Sequence, residues 1–177
     1  MDIQAKVAAA VAALKPSCGR DAINDLLASG FEALLTTNGL GVTSRTPGGL
    51  YVSAMKTGFY SGNPQGLQPE QREIAVLSIL TLQGADANLA LHVFIALASG
   101  ITVADVLDTI LLAGMYSGAN RLTQAMRVVT KTFAAIIKSA DGHVTGPAAV
   151  FECIMEEFPD PEFAAARTFL SKLPKCC

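Results

Sequence analysis

The 177-residue sequence has no tryptophan, two histidines and four cysteines, and only 16% of its residues are charged. Each shortage removes a class of function. Cys18, Cys153, Cys176 and Cys177 are too few and too peripheral to staple a disulfide framework. The histidines, cysteines and carboxylates show no metal-ligand spacing, and neither a Gly-rich phosphate loop nor a Ser-His-Asp set is present. No metal and no cofactor is therefore expected. The formal net charge is −2 with Lys and Arg scattered, so no basic stripe faces nucleic acid. Every window of about 18 residues is interrupted by Asp, Lys, Gln, Arg or Asn, which argues against a membrane-spanning helix and a membrane partner. The opening MDIQAKVAAAVAALKPSC carries Asp2 and a single Lys ahead of its apolar run, a poor secretion signal. A cytoplasmic protein is expected.

What is present is apolar and helical in character. Hydrophobic residues make up 51% of the chain, Ala and Leu foremost, a composition that favours closely packed helices. The length fits one domain with a good core. A mean hydropathy of +0.41 is high for a monomer without a membrane span. It is explained by an apolar surface that other subunits cover, so a homo-oligomer is expected.

Apolar spacing of three and four residues places helices along most of the chain, and no segment alternates at period two, so the fold class is all-α. One helix is expected over 3–14, ended by Pro16, and a second over 21–35. TTNGLGVTSRTPGGL reads as a loop, followed by a short helix from Tyr51 to Tyr60 and the turn SGNPQG. Pro69 opens the next helix, which runs to about Leu82 and stops at Gly84. Asp86 is placed as the cap of a helix through Ala98. Thr102 and Asp105 form a weak capping box for a helix to Tyr116, with Val103, Val106, Leu107, Ile110 and Leu111 as its buried face. Further helices are expected over 119–139 and 148–158, and a last one from Asp160-Pro161 to about Leu173.

Two ionisable side chains, Glu73 and His92, sit in the most apolar part of this pattern. They fall on successive helices joined by a turn at Gly84 and Ala85, eleven residues before Gly84 and eight after it. In an antiparallel pair their heights differ by about 4–5 Å, within side-chain reach. A carboxylate that orients an imidazole and tunes its basicity is an acid/base unit. A lone helical His is also a common core residue, and a first-turn Glu a common partner of the helix dipole.

The stretch from Gly66 to Met126 resembles the carboxymuconolactone decarboxylase / alkylhydroperoxidase D-like family. The resemblance is carried by Leu67-Gln68-Pro69-Glu70-Gln71-Arg72-Glu73, by His92 ahead of Ala96-Leu97-Ala98-Ser99-Gly100 and Ile101-Thr102, and by Ala113-Gly114-Met115-Tyr116-Ser117-Gly118. It implies an alkylhydroperoxidase D-like helical bundle that assembles as a trimer or hexamer. Residues 1–50 then form an N-terminal arm and loop, 51–139 the family core, and 140–177 C-terminal helices and tail, within one compact domain.

The peroxidase branch of the family reads Glu, then twelve residues on Cys-x-x-Cys-x-x-x-His. Glu73 and His92 fall on its Glu and His, but Ala85 and Asn88 stand at the two cysteine positions, and neither supplies a thiolate. The decarboxylase branch needs no dithiol. By resemblance to it, Glu73 and His92 are the catalytic residues, and Asn88, Tyr116 and Arg72 contact a small lactone or carboxylic acid beside a partly buried cavity. Arg121 is a further candidate for the substrate carboxylate. Alkylhydroperoxidase or peroxiredoxin-like activity through displaced cysteines, and a non-catalytic role in assembly or ligand binding, remain as alternatives.

Overall fold

The segment DANLALHVFIALA is apolar on every side, and a helix of that kind is stable only when other elements wrap it completely. The fold is built around this helix. The computed structural model describes residues 2–37, 50, 66–159 and 161–171, apart from the side chains of residues 28, 31–37, 162 and 165. In chain order it contains α1 (Ile3–Cys18), α2 (Arg20–Thr37), α3 (Pro69–Gln83), α4 (Asp86–Ala98), α5 (Val103–Ser117), α6 (Ala119–Asp141), α7 (Pro147–Glu156), a 3₁₀ turn (Pro161–Phe163) and α8 (Ala164–Leu170). No strand occurs among the described residues, so the class is all-α. No helix among them is long and apolar enough to cross a membrane.

From Leu89 to Ala98 every residue of α4 is buried except His92. α3 and α6 make its main walls. α6 is amphipathic: Ala125, Val128, Val129, Thr132, Phe133, Ala135, Ile136 and Ser139 are buried, while Arg127, Thr130 and Lys138 face solvent. Its buried face packs on α4, and α1, α5 and α7 lie against it. Phe94 of α4 meets Phe151 of α7 edge to face at 5.8 Å, an arrangement that the aromatic quadrupoles favour.

Several boundaries differ from the sequence expectation for physical reasons. α1 does not stop at Pro16 but runs through it to Cys18. Val7, Ala10, Leu14 and Cys18 form one buried stripe whose last member lies beyond the proline. Pro16 itself faces solvent in the final turn, where its missing N–H leaves the Ala12 carbonyl without its helical donor, a cost that the burial of Cys18 offsets. α3 begins at Pro69 as expected, and the Gln71 side chain also accepts from the Gln68 N–H at 2.9 Å. Gly84 ends it in the left-handed region, φ 66°, with the Ala85 N–H donating back to Leu80 O at 3.0 Å.

Asp86 does not cap α4. It is the first helical residue, and Ala85 stands at the cap position without a side-chain bond. The carboxylate is taken up instead by Gln124 of α6, whose Nε2 donates to Oδ2 at 2.5 Å. On α5, Thr102 does cap, accepting from the Asp105 N–H at 3.1 Å. The buried face of α5, however, is Val103, Val106, Ile110, Ala113 and Gly114. Leu111 is 38% exposed, because it lies about 100° round the helix from Ile110. Gly114 is where α6 crosses: a Cβ there would stand 2.6 Å from Leu122 Cδ1.

α6 extends to Asp141, two residues past Ser139, and α7 spans Pro147–Glu156 rather than 148–158. The expected last helix is divided into a 3₁₀ turn and α8. The expected loop beyond Thr37, the short helix Tyr51 to Tyr60 and the turn SGNPQG, up to Gln65, lie outside the described residues, as do Leu173, Cys176 and Cys177.

Candidate functional site

The buried stripe of α3 is Pro69, Glu73, Leu77 and Thr81, a strict four-residue spacing that stays on one face. Glu73 thus occupies a core position, 4% exposed. Its Oε2 lies 2.8 Å from His92 Nδ1. The two side chains differ in access, at 5% for Glu73 and 20% for His92. A carboxylate this deep needs a hydrogen-bonded partner, and the imidazole is that partner. With Nδ1–H donating to the carboxylate, the lone pair of the neutral ring is left on Nε2. His92 is also the one break in the buried run of α4. The pair therefore has a hidden acid at its back and an imidazole at the opening.

Asn88 stands one turn before His92 and is exposed. It borders a pocket of about 230 Å³ at the start of α4, lined by Gly84 to Asn88, Gln124 and Phe163. Glu73 and His92 are not among the residues that line this pocket. Glu73 is buried in the α3 stripe, and its contact with His92 joins α3 to α4.

Arg72 is half-buried on α3, about 100° round the helix from Glu73. Tyr116 is 84% exposed in the last turn of α5. It touches little of its own chain and is not packed against the pair. Arg121 lies over the turn between α3 and α4: a Cβ on Gly84 would come within 1.6 Å of its Nη1. Its Nη1 donates to Gln124 Oε1 at 3.2 Å, so Arg121, Gln124 and Asp86 form one chain of hydrogen bonds across the start of α4. Sequence reasoning did not find this network. Arg121 and Gln124 sit three apart on a helix, but Asp86, the partner of Gln124, is 38 positions away.

Neither described cysteine, Cys18 or Cys153, is in a disulfide. Cys18 is buried and unbridged. Burial pushes its thiol up, against smaller opposing effects of the Ser17 hydroxyl and the Gly146 backbone. Cys153 is half-buried and also unbridged. His143 is exposed in the loop after α6. No group of three or more His, Cys, Asp or Glu side chains that could hold a metal occurs among the described residues.

The model of the carboxymuconolactone decarboxylase family matches residues 50–131. The match takes in α3, α4, α5 and the first half of α6, with Glu73, Ala85, Asn88, His92 and Tyr116 inside it, so this part of the chain is similar to that family. No curated protein and no solved structure matches the chain.

Proposed function

We propose that the protein is a decarboxylase-like enzyme that performs cofactor-free acid/base chemistry on a small lactone or carboxylic acid, with His92 moving the proton and Glu73 orienting and charging it. The observation that carries this reading is the 2.8 Å contact between a buried carboxylate and the one imidazole that opens the wall of α4. Loss of CO₂ leaves the bonding electron pair on carbon, and a conjugated carbonyl accepts that pair as an enolate or dienolate. Protonated His92 delivers Nε2–H to the carbon, and the neutral ring recovers a proton from water. The Glu73 carboxylate stabilises the imidazolium before transfer. Asn88 and Arg72 are assigned to the substrate carboxylate or oxyanion. Thiol peroxidase chemistry is disfavoured, since Ala85 and Asn88 replace the dithiol and the Cys18 thiol is pushed toward its neutral form.

The test is His92→Gln, whose carboxamide keeps a hydrogen-bond donor for Glu73 without an exchangeable acid. CO₂ release from a panel of small lactone acids is expected to fall at least 100-fold, with thermal unfolding within a few degrees of the parent chain. Turnover at the parent rate in a folded His92→Gln chain would overturn the assignment.

The outward faces of α3 and α5 support self-assembly. Ile79 is 51% exposed, Leu82 48%, Leu112 60% and Met115 72%, and the outward side of α3 carries Gln71, Ala75, Ser78 and Gln83 without a charge. Exposed apolar side chains on two neighbouring helices are what a subunit contact covers. It fits the trimer or hexamer that the family resemblance implies.

A further inference from the structure

α1 lies outside the segment that matches the family, and it has a surface feature of its own. A groove of about 530 Å³ runs between α1 and the turn joining α4 to α5. Ala5, Ala8 and Ala12 form its floor, Ile101 stands in the facing wall, and Asp2 and Lys15 mark its two ends. Asp2 and Lys15 are separated by about 20 Å along the helix axis. Neither has an ion-pair partner among the described residues, and Asp2 stands at the cap position of α1 without a side-chain cap bond.

The order of these residues has a symmetry. Laid antiparallel on itself about a point between Ala8 and Ala9, α1 brings Asp2 against Lys15 and Ala5 against Ala12, at both ends at once. A parallel copy would set Asp2 on Asp2 and Lys15 on Lys15. We infer that the groove is filled by α1 of a second copy of this chain, antiparallel, in a two-fold contact closed by two Asp2–Lys15 ion pairs. Alanine at the crossing permits close approach of the helix axes, and a self-complementary patch is what a two-fold interface requires. A single amphiphile fits less well: its one head group would satisfy one end of the groove and leave the opposite charge beside its apolar tail.

A two-fold contact doubles whatever the other contacts of the chain hold together. The experiment is sedimentation mass of the full chain, with far-UV circular dichroism as the control for folding. The parent chain is expected to contain an even number of copies. Lys15→Asp and Asp2→Lys should each halve the mass, and the two together should restore it, because the reversed charges are again complementary. Ala8→Glu sets carboxylates of the two copies together at the axis and should halve the mass as well, which keeps the proposal testable if the double variant does not fold. Unchanged mass in the folded single variants, or a folded double variant that stays at half mass, overturns the proposal. So does a fluorescent fatty acid that binds the parent chain and is lost in Lys15→Asp at constant mass.

Discussion

α3 and α4 share one interface and are buried in opposite styles. α3 hides a single stripe, Pro69, Glu73, Leu77 and Thr81, and turns an uncharged, half-apolar face outward. α4 hides nearly everything and opens at His92. The difference teaches where reactivity can sit. The one-sided helix supplies the group that is best hidden, a carboxylate hydrogen-bonded to its partner. Under the proposed mechanism the enclosed helix supplies the group that must be reached, and its buried neighbours hold the backbone of that imidazole in place. An acid/base pair made the other way round, with the imidazole sealed and the carboxylate open, would present solvent with a group that is seldom protonated near neutral pH.

The largest expected effect breaks this contrast by placing the same charge on the two helices. Val93→Asp on α4, at a fully buried position, should prevent stable folding, since an unpaired buried carboxylate costs several kcal/mol. Ile79→Asp on α3, at a position 51% exposed, should leave circular dichroism and thermal unfolding of the chain nearly unchanged and lower the assembly mass. Equal loss of folded chain in both variants would remove the distinction between a core helix and an interface helix.

Next in size is the pair itself. Glu73→Ala removes a buried partner of His92 and opens a void, for an expected loss of about 2–4 kcal/mol in chemical denaturation. Glu73→Gln keeps the shape and one hydrogen bond and should lose about half as much. Under the proposed mechanism both lower turnover, because neither can stabilise the imidazolium. A Glu73→Gln chain with parent turnover would reduce Glu73 to a packing residue.

The pair was legible in the sequence because it is nearly local. Gly84 fixes a tight antiparallel turn, and counting helical rise outward from it brings Glu73 and His92 to similar heights. The helices themselves were legible for the same reason, from spacing within each. What escaped depends on partners distant in sequence. Asp86 reads as a cap, and only Gln124 of α6 turns it into a buried acceptor. Pro16 reads as a stop, and only the burial of Cys18 beyond it explains why α1 continues. Leu111 reads as core beside Ile110, but the close crossing of α6 at Gly114 sets which side of α5 is covered. The bond from Gln124 to Asp86, 38 positions apart, leaves no trace in local pattern at all.

The smallest expected effect concerns the thiol at the end of α1, and it contrasts a buried ionisable group lacking a charged partner with the buried group that has one. Burial raises the Cys18 pKa above its ordinary value, whereas Glu73 is hydrogen-bonded to His92. In the unfolded chain the thiol ionises from about pH 8.5, while in the folded chain it stays neutral to higher pH. The folded state therefore binds the proton more tightly. The associated stability is fully present below about pH 8.5 and declines as pH rises from there through the raised folded value. Chemical denaturation between pH 7 and 10 should show a shallow extra decline in the parent chain that is absent in Cys18→Ala. The Ala variant should be less stable at pH 7, where the methyl group fills less of the site, and the two curves should approach one another at high pH. Parallel curves across the whole range would mean that Cys18 is open to solvent in the folded protein, and that α1 is not seated along its full length.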